Sequence, residues 1–230
     1  MDAAIDMVVA AVEAARAGRG SPALVVTLNP EILMRARADA ELMRIIAGAA
    51  LIVPDGVGLV RTLRRRGHPD AQRVTGVDLI VGYAPRAAAL GHRVAMVGGA
   101  PGAAAEAARI LESRVSGLQI VITDSGGPDR ATAERLAASG CEVVLAAYGG
   151  GRQEPFLAAH LATSGAALGI GVGGAFDFLS GRVRRAPRML QRAGLEWAWR
   201  LLRQPWRWRR QLALPGFWWL ARREESRARR

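Results

Sequence analysis

Six short apolar runs punctuate the chain: ALVVTLN (23–29), AALIVPDG (49–56), HRVAMVGG (92–99), LQIVITD (118–124), EVVLAAYG (142–149) and ALGIGVGG (167–174). Most are rich in β-branched residues and end at Gly, Asp or Asn. Near-continuous apolar strands predict a sheet covered on both faces. Between them the spacing becomes helical. EILMRARADAELMRIIA follows the first run, and GVDLIVGYAPRAAAL precedes the third. PGAAAEAARILESRV, PDRATAERLAASG and RQEPFLAAHLATSG follow the third, fourth and fifth. Ile5, Val8, Val9 and Val12 mark one face of an N-terminal amphipathic helix. Strand and helix in alternation predict an α/β fold, with a mainly parallel sheet flanked by helices.

Composition supports a folded core: 230 residues, half of them hydrophobic. No uninterrupted apolar stretch reaches the ~18 residues of a membrane-spanning helix. The N-terminus carries Asp2 and Asp6 and lacks the basic start and cleavage site of a signal peptide. Cys141 is the single cysteine, so no internal disulfide is expected, and its place at the head of a strand predicts burial. These features fit a cytoplasmic protein.

Charge divides the chain in two. Residues 1–181 carry 17 Arg and 17 Asp plus Glu; residues 182–230 carry 15 Arg against Glu196, Glu224 and Glu225, the whole of the +12 net charge. All six tryptophans (197, 199, 206, 208, 218 and 219) lie in the same final segment. The organisation expected is therefore an α/β domain over 1–181 and a short helical, basic, Trp-rich appendage over 182–230. Pro205 should break the appendage into two short helices.

In Rossmann-like sheets, ligands bind beyond the carboxyl ends of the strands. That rule selects Thr27, Asn29, Asp55, Gly98, Gly99, Asp124, Gly149–Gly151 and Gly171–Gly174. Asp55 in VPDGVG reads either as a turn aspartate or as a partly desolvated carboxylate fit to accept a proton. Asn29 suits an N-cap before Pro30, and Thr27 and Asn29 could each bind a substrate hydroxyl or amide. VGGAPGAAAEAARIL reads as a tight turn or as a phosphate-holding helix start. In IGVGGAFDFLSG, glycine would permit close backbone approach to a ligand, and Asp177 stands among apolar residues. Glu154 suits a first helical turn; Gln153 could bind a sugar or a base. His68, His92 and His160 read as surface or packing residues. No P-loop, CxxC pair, Ser-His-Asp order or Asp-x-Asp motif occurs, so no metal is expected.

Taken in order, TLNPEIL, VPDGVGLV, RVTGVDL, VGGAPGAAAEAA, RQEPF, GVGGAFDFLSGRVRRAP and GLEWAWRLLRQPWRWRRQ resemble the TagA/WecG/CpsF family of bacterial glycosyltransferases. The resemblance runs from about residue 5 to 213 and is most specific over Gly171–Gln211. It implies transfer of a sugar, commonly N-acetylmannosamine, from a UDP-sugar donor to a polyprenyl-diphosphate-linked sugar at the cytoplasmic membrane face. It implies inverting, metal-independent chemistry without a cofactor. It assigns Asp55 as general base, and Thr27, Asn29, Gln153, Arg200, Arg207 and Arg210 to the catalytic set. The glycines 98, 99, 149, 171, 173 and 174 are then candidates to hold the donor. Gly150-Gly151-Arg152 departs from the family's usual Ser/Ala-Pro-Lys, which leaves glucose, galactose or N-acetylmannosaminuronate as alternative donor sugars and predicts a more flexible loop.

On this reading the tail has a reason. The acceptor is an amphiphile, Trp favours the headgroup region, and Arg is drawn to anionic lipid. Expected partners are therefore the UDP-sugar, the glycolipid acceptor and an anionic membrane surface, with the protein peripheral on its inner face. An exposed apolar patch would serve a homo-oligomer as well. A charged helical surface packed on its tryptophans is the plainer alternative. Nucleic acid is the main rival partner for Arg mixed with aromatics, but the neutral body carries the cleft candidates, so none is expected.

Overall fold

In the computed structural model the two periods of the sequence separate into one sheet and its covering helices. The structure describes residues 1–193, 195–205 and 208–228, and the side chains of all of these except 188, 192, 193, 210, 211 and 224–228. Strands β1 (Ala23–Leu28), β2 (Leu51–Pro54), β3 (Arg93–Gly98), β4 (Gln119–Asp124), β5 (Val143–Ala147) and β6 (Leu168–Gly171) each fall within one apolar run. They form a six-stranded sheet in the order β2-β1-β6-β5-β3-β4. Every pairing is parallel.

The helices before the appendage are α1 (Asp2–Arg16), α2 (Pro30–Ala38), α3 (Ala40–Ala47), α4 (Val57–Arg65), α5 (Gly76–Leu90), α6 (Ala103–Arg114), α7 (Arg130–Ser139), α8 (Gln153–His160) and α9 (Ala175–Leu179). The appendage adds α10 (Arg188–Ala193), α11 (Glu196–Arg203), α12 (Trp208–Gln211) and α13 (Ala213–Ala228).

Alternation along each strand divides the core between the two faces. Val94 and Met96 of β3 and Val143, Leu145 and Ala147 of β5 join the cluster built with α1, α5 and α6. Ala95, Val97, Val144, Ala146 and Tyr148 join the opposite cluster, with Leu136 and Phe156. A third cluster seats α2 and α3 on Val26. Burial on both faces is why the runs read as continuous apolar sequence rather than as alternation. Apolar side chains of the edge strands relax: Ile52 of β2 is 41% exposed and Val121 of β4 is 38% exposed.

Two local outcomes differ from the sequence reading. The helical run after β1 is broken at Asp39. Its backbone is extended, and its carboxylate accepts the Leu42 amide at 3.0 Å, capping α3. A short polar side chain that bonds its own backbone wins over helix continuation there. The appendage also holds more helices than the two expected. Its last, α13, packs on α2 and α4 and buries Phe217 and Ala221. Gly58 of α4 makes room: a β-carbon there would lie 3.0 Å from the Phe217 ring.

His92 and Cys141 behave as packing residues. His92 is fully buried, with Nδ1 2.5 Å from the Tyr83 hydroxyl and Nε2 2.9 Å from Glu13 Oε1. Cys141 is buried, and burial pushes its thiol pKa up.

Candidate active site

All six strands point their carboxyl ends the same way, and the loops leaving them, with residues of α11 and α13, enclose a cleft of about 930 Å³. That lies within the roughly 300–1,000 Å³ typical of small-molecule sites. Thr27, Asn29, Asp55, Gly99, Gly149, Gln153, Gly173, Gly174 and Arg200 line it. Gly98 and Gly171 do not. They sit behind the wall, where a β-carbon would lie 2.8 Å from the Tyr148 ring and 2.6 Å from the Gln153 amide. Those glycines are required for packing.

Asp55 follows β2 directly. Its amide donates to the Leu28 carbonyl at 2.7 Å, which extends the β1–β2 pairing by one residue and fixes the side chain at the cleft. The carboxylate is 25% exposed, and its nearest cation is Arg73 Nη2 at 3.5 Å. Burial pushes its pKa up to about 6; Arg73 pulls it down, and Glu196 and Asp78 push it up. A carboxylate in this state can accept a proton near neutral pH, which a solvated turn aspartate does poorly.

Thr27 is buried and donates its hydroxyl to the Gly171 carbonyl at 2.6 Å, tying β1 to β6 beneath the cleft floor. Asn29 does cap α2: its Oδ1 accepts the Ile32 amide at 2.9 Å. Gln153 is fully buried. Its Oε1 accepts the Gly173 amide at 3.1 Å, and its Nε2 donates to Glu154 Oε1 at 3.0 Å. Glu154 in turn accepts the Gly151 amide at 3.0 Å, and burial raises its pKa. The Gln153-Glu154 pair therefore joins the loops after β5 and β6. Gly151 has φ +75, a conformation closed to the proline common in the family loop. Arg152 keeps the family's positive charge but turns it onto the Tyr148 carbonyl, with bonds of 3.0 and 2.6 Å.

Arg200, on α11, reaches the opposite wall. Its guanidinium packs where a Gly174 β-carbon would be and lies 4.8 Å above the Phe178 ring. Its Nε and Nη2 are buried with no hydrogen-bond partner among the described residues. Burial lowers its pKa, while Asp177, Asp55 and Glu196 raise it. Arg200 lines the cleft, and a guanidinium with N–H donors to spare among the described residues is suited to an anion. Arg207 lies outside the described residues, as does the side chain of Arg210.

The structure adds residues that the strand-end rule did not select. Arg73 and Arg185 line the cleft together with Glu196, and Phe217 and Trp218 close one side. Thr75 caps α5, accepting the Asp78 amide at 3.1 Å and donating to Asp78 Oδ2 at 2.7 Å. The T-x-x-D spacing within RVTGVDL was the available signal for that cap. Asp124, a strand-end candidate, instead pairs with Arg135 and accepts the Gly126 amide at 2.6 Å.

A family model described as the glycosyl transferase WecG/TagA/CpsF family matches residues 1–230. A curated relative from Bacillus spizizenii is 34% identical over 197 residues, covering 85% of this chain and 77% of the relative. That protein is named N-acetylglucosaminyldiphosphoundecaprenol N-acetyl-beta-D-mannosaminyltransferase.

Proposed function

The chain belongs to the glycosyl transferase WecG/TagA/CpsF family, and on that footing we propose that it moves N-acetylmannosamine from a UDP-sugar to a polyprenyl-diphosphate-linked sugar. The observation that carries this reading is one cleft lined by both a carboxylate of raised basicity, Asp55, and the guanidinium of Arg200, two of whose nitrogens have no partner among the described residues. The acceptor hydroxyl attacks the anomeric carbon as Asp55 takes its proton. The bond from that carbon to the UDP oxygen breaks on the opposite side, so the anomeric centre inverts. One carboxylate suffices for a single displacement, unlike the pair of a glycoside hydrolase. Charge develops on the departing diphosphate, and guanidinium groups neutralise it bidentately at any working pH. Arg200 supplies that charge, with Arg207 and Arg210 as further members of the set. Gly99, Gly149 and Gly173 line the same cleft and let the backbone approach the nucleotide closely.

A transfer assay tests the reading. UDP-N-acetylmannosamine is offered beside UDP-glucose, UDP-galactose and UDP-N-acetylmannosaminuronate, with a short-chain polyprenyl-diphosphate N-acetylglucosamine as acceptor. Transfer with anomeric inversion is expected in excess chelator. Activity abolished by chelator and restored by a divalent cation would overturn the metal-independent mechanism. Preference for another sugar would reassign the donor.

The appendage supports docking at a membrane surface. Among the described residues no helix is long and apolar enough to cross a membrane. Yet Met189, Leu202, Leu212 and Trp219 are 61–82% exposed. Arg203, Arg209 and Arg223 stand over the rings of Trp199, Trp208 and Trp219 at 4.8–5.5 Å. Apolar anchors ringed by arginine match an anionic headgroup layer, each near-surface charge contributing about 1 kcal/mol. Because α13 is also a packed wall of the cleft, full-length point variants test docking better than truncation. Leu202→Ser with Trp219→Ser is expected to weaken flotation on vesicles containing phosphatidylglycerol at least tenfold. Transfer to a soluble acceptor should stay near normal. Unchanged flotation would refute the docking role.

A further inference from the structure

Arg73 stands between two carboxylates. Its Nη2 lies 2.6 Å from Glu196 Oε2 and 3.5 Å from Asp55 Oδ1. Asp55 follows β2, Arg73 sits in the loop before α5, and Glu196 opens α11 in the appendage. Glu196 is held from its other side as well: its Oε1 accepts from Arg185 Nε at 3.4 Å. Arg185 in turn forks onto Asp78 at 2.6 and 2.9 Å. The carboxylate from the appendage is thus clamped between two arginines, one of which it shares with Asp55. The side chains of Arg73, Asp55 and Glu196 are only 27%, 25% and 16% exposed, so water screens them weakly.

We propose that Glu196 is a positioning residue for the transfer reaction: by engaging Arg73 it keeps that guanidinium from closing onto Asp55 and leaves the carboxylate free to take the acceptor proton. The proposal rests on the reading of Asp55 as the base. A carboxylate paired tightly with arginine has its lone pairs occupied and is a poor base. In the observed arrangement the shorter, stronger bond goes to Glu196, and Asp55 keeps only the longer contact. The charged groups acting on Asp55 are Arg73 from the loop, Asp78 from α5, and Glu196 and Arg200 from α11. Glu196 comes from the appendage, so the strength of the base depends on how α11 seats. The appendage then contributes a restraint on a body arginine in addition to its own cations.

The test uses full-length protein labelled with ¹³C at aspartate side chains. The Asp55 resonance is identified by its absence in Asp55→Asn, and its carboxyl titration is followed by NMR alongside kcat and donor KM. In Glu196→Gln, Arg73 turns to Asp55, and the Asp55 midpoint is expected to fall by about one pH unit or more. Arg73→Gln is expected to move it upward. Glu196→Asp should restore most of the wild-type behaviour. At neutral pH, kcat of Glu196→Gln should drop about tenfold with donor KM little changed, as for an interaction felt in the transition state. Opposite shifts from the two halves of one ion pair are a signature that simple tethering of the appendage does not produce. Midpoints that stay put, or move in the same direction, overturn the role of Glu196 even if Asp55→Asn is inactive. Turnover surviving in Asp55→Asn overturns the base reading, and with it this one, whatever the titrations show. If Glu196→Gln unfolds, Arg73→Gln still decides: no upward shift overturns the proposal.

Discussion

Asp55→Asn is expected to cut transfer by about 10²–10⁴-fold, the range general-base catalysis contributes, while leaving donor binding and the fold in place. The amide is nearly isosteric and keeps the position set by the bond from the Asp55 amide to Leu28. It cannot take a proton. The sign of the pH dependence follows from the raised pKa of about 6. The base works ionised, so kcat/KM should fall tenfold per unit as pH drops below about 6 and level off above it. Stability runs the other way. A carboxyl whose folded pKa lies above its unfolded value of about 3.9 contributes stability at low pH that is lost as pH rises through about 6. The Asn variant escapes that loss and should melt no lower than wild type at pH 8. Near-normal turnover, or a large drop in melting temperature, would remove Asp55 from the role.

Arg200→Met should lower kcat by about 10²–10³-fold, comparable with removal of one preorganised donor from a site of developing charge. Methionine keeps an unbranched apolar stem against Phe178 and Gly174 but has no charge. Two guanidinium nitrogens of Arg200 are buried without a partner among the described residues, and burial of an unpaired charge opposes folding. The variant is therefore expected to be as stable as wild type or more so. Thermal unfolding with and without UDP separates the effects. Wild type should gain several degrees on adding UDP, and Arg200→Met much less. A variant that lost stability but kept kcat would make Arg200 a packing residue.

These expectations show where the sequence could be read and where it could not. Strands declare themselves through runs of Val, Ile and Leu, and a parallel sheet sends its strand ends to one side. Asp55, Thr27 and Asn29 could therefore be picked out before their neighbours were known. The ion pair of Arg73 with Glu196 spans 123 residues, and no local pattern encodes such a meeting. Gln153 was legible as a cleft residue but not as a buried one. Its amide looked free for a sugar, and the fold spends it on Gly173 and Glu154. Asp39 shows a third kind of limit, since helical periodicity continues through it while its own side chain caps a new helix.

The seating of Phe217 and Trp218 against α4 has a consequence for biosynthesis. Asp55 leaves the ribosome well before Phe217 and Trp218, which close one side of the cleft; at the usual ~5–20 residues per second the delay is on the order of ten seconds or more. A nascent chain can hold its sheet and its proton acceptor while still lacking an enclosed chamber. An enclosed cleft should thus form late, once Phe217 and Trp218 have left the ribosome and the sheet that carries Asp55 is already in place.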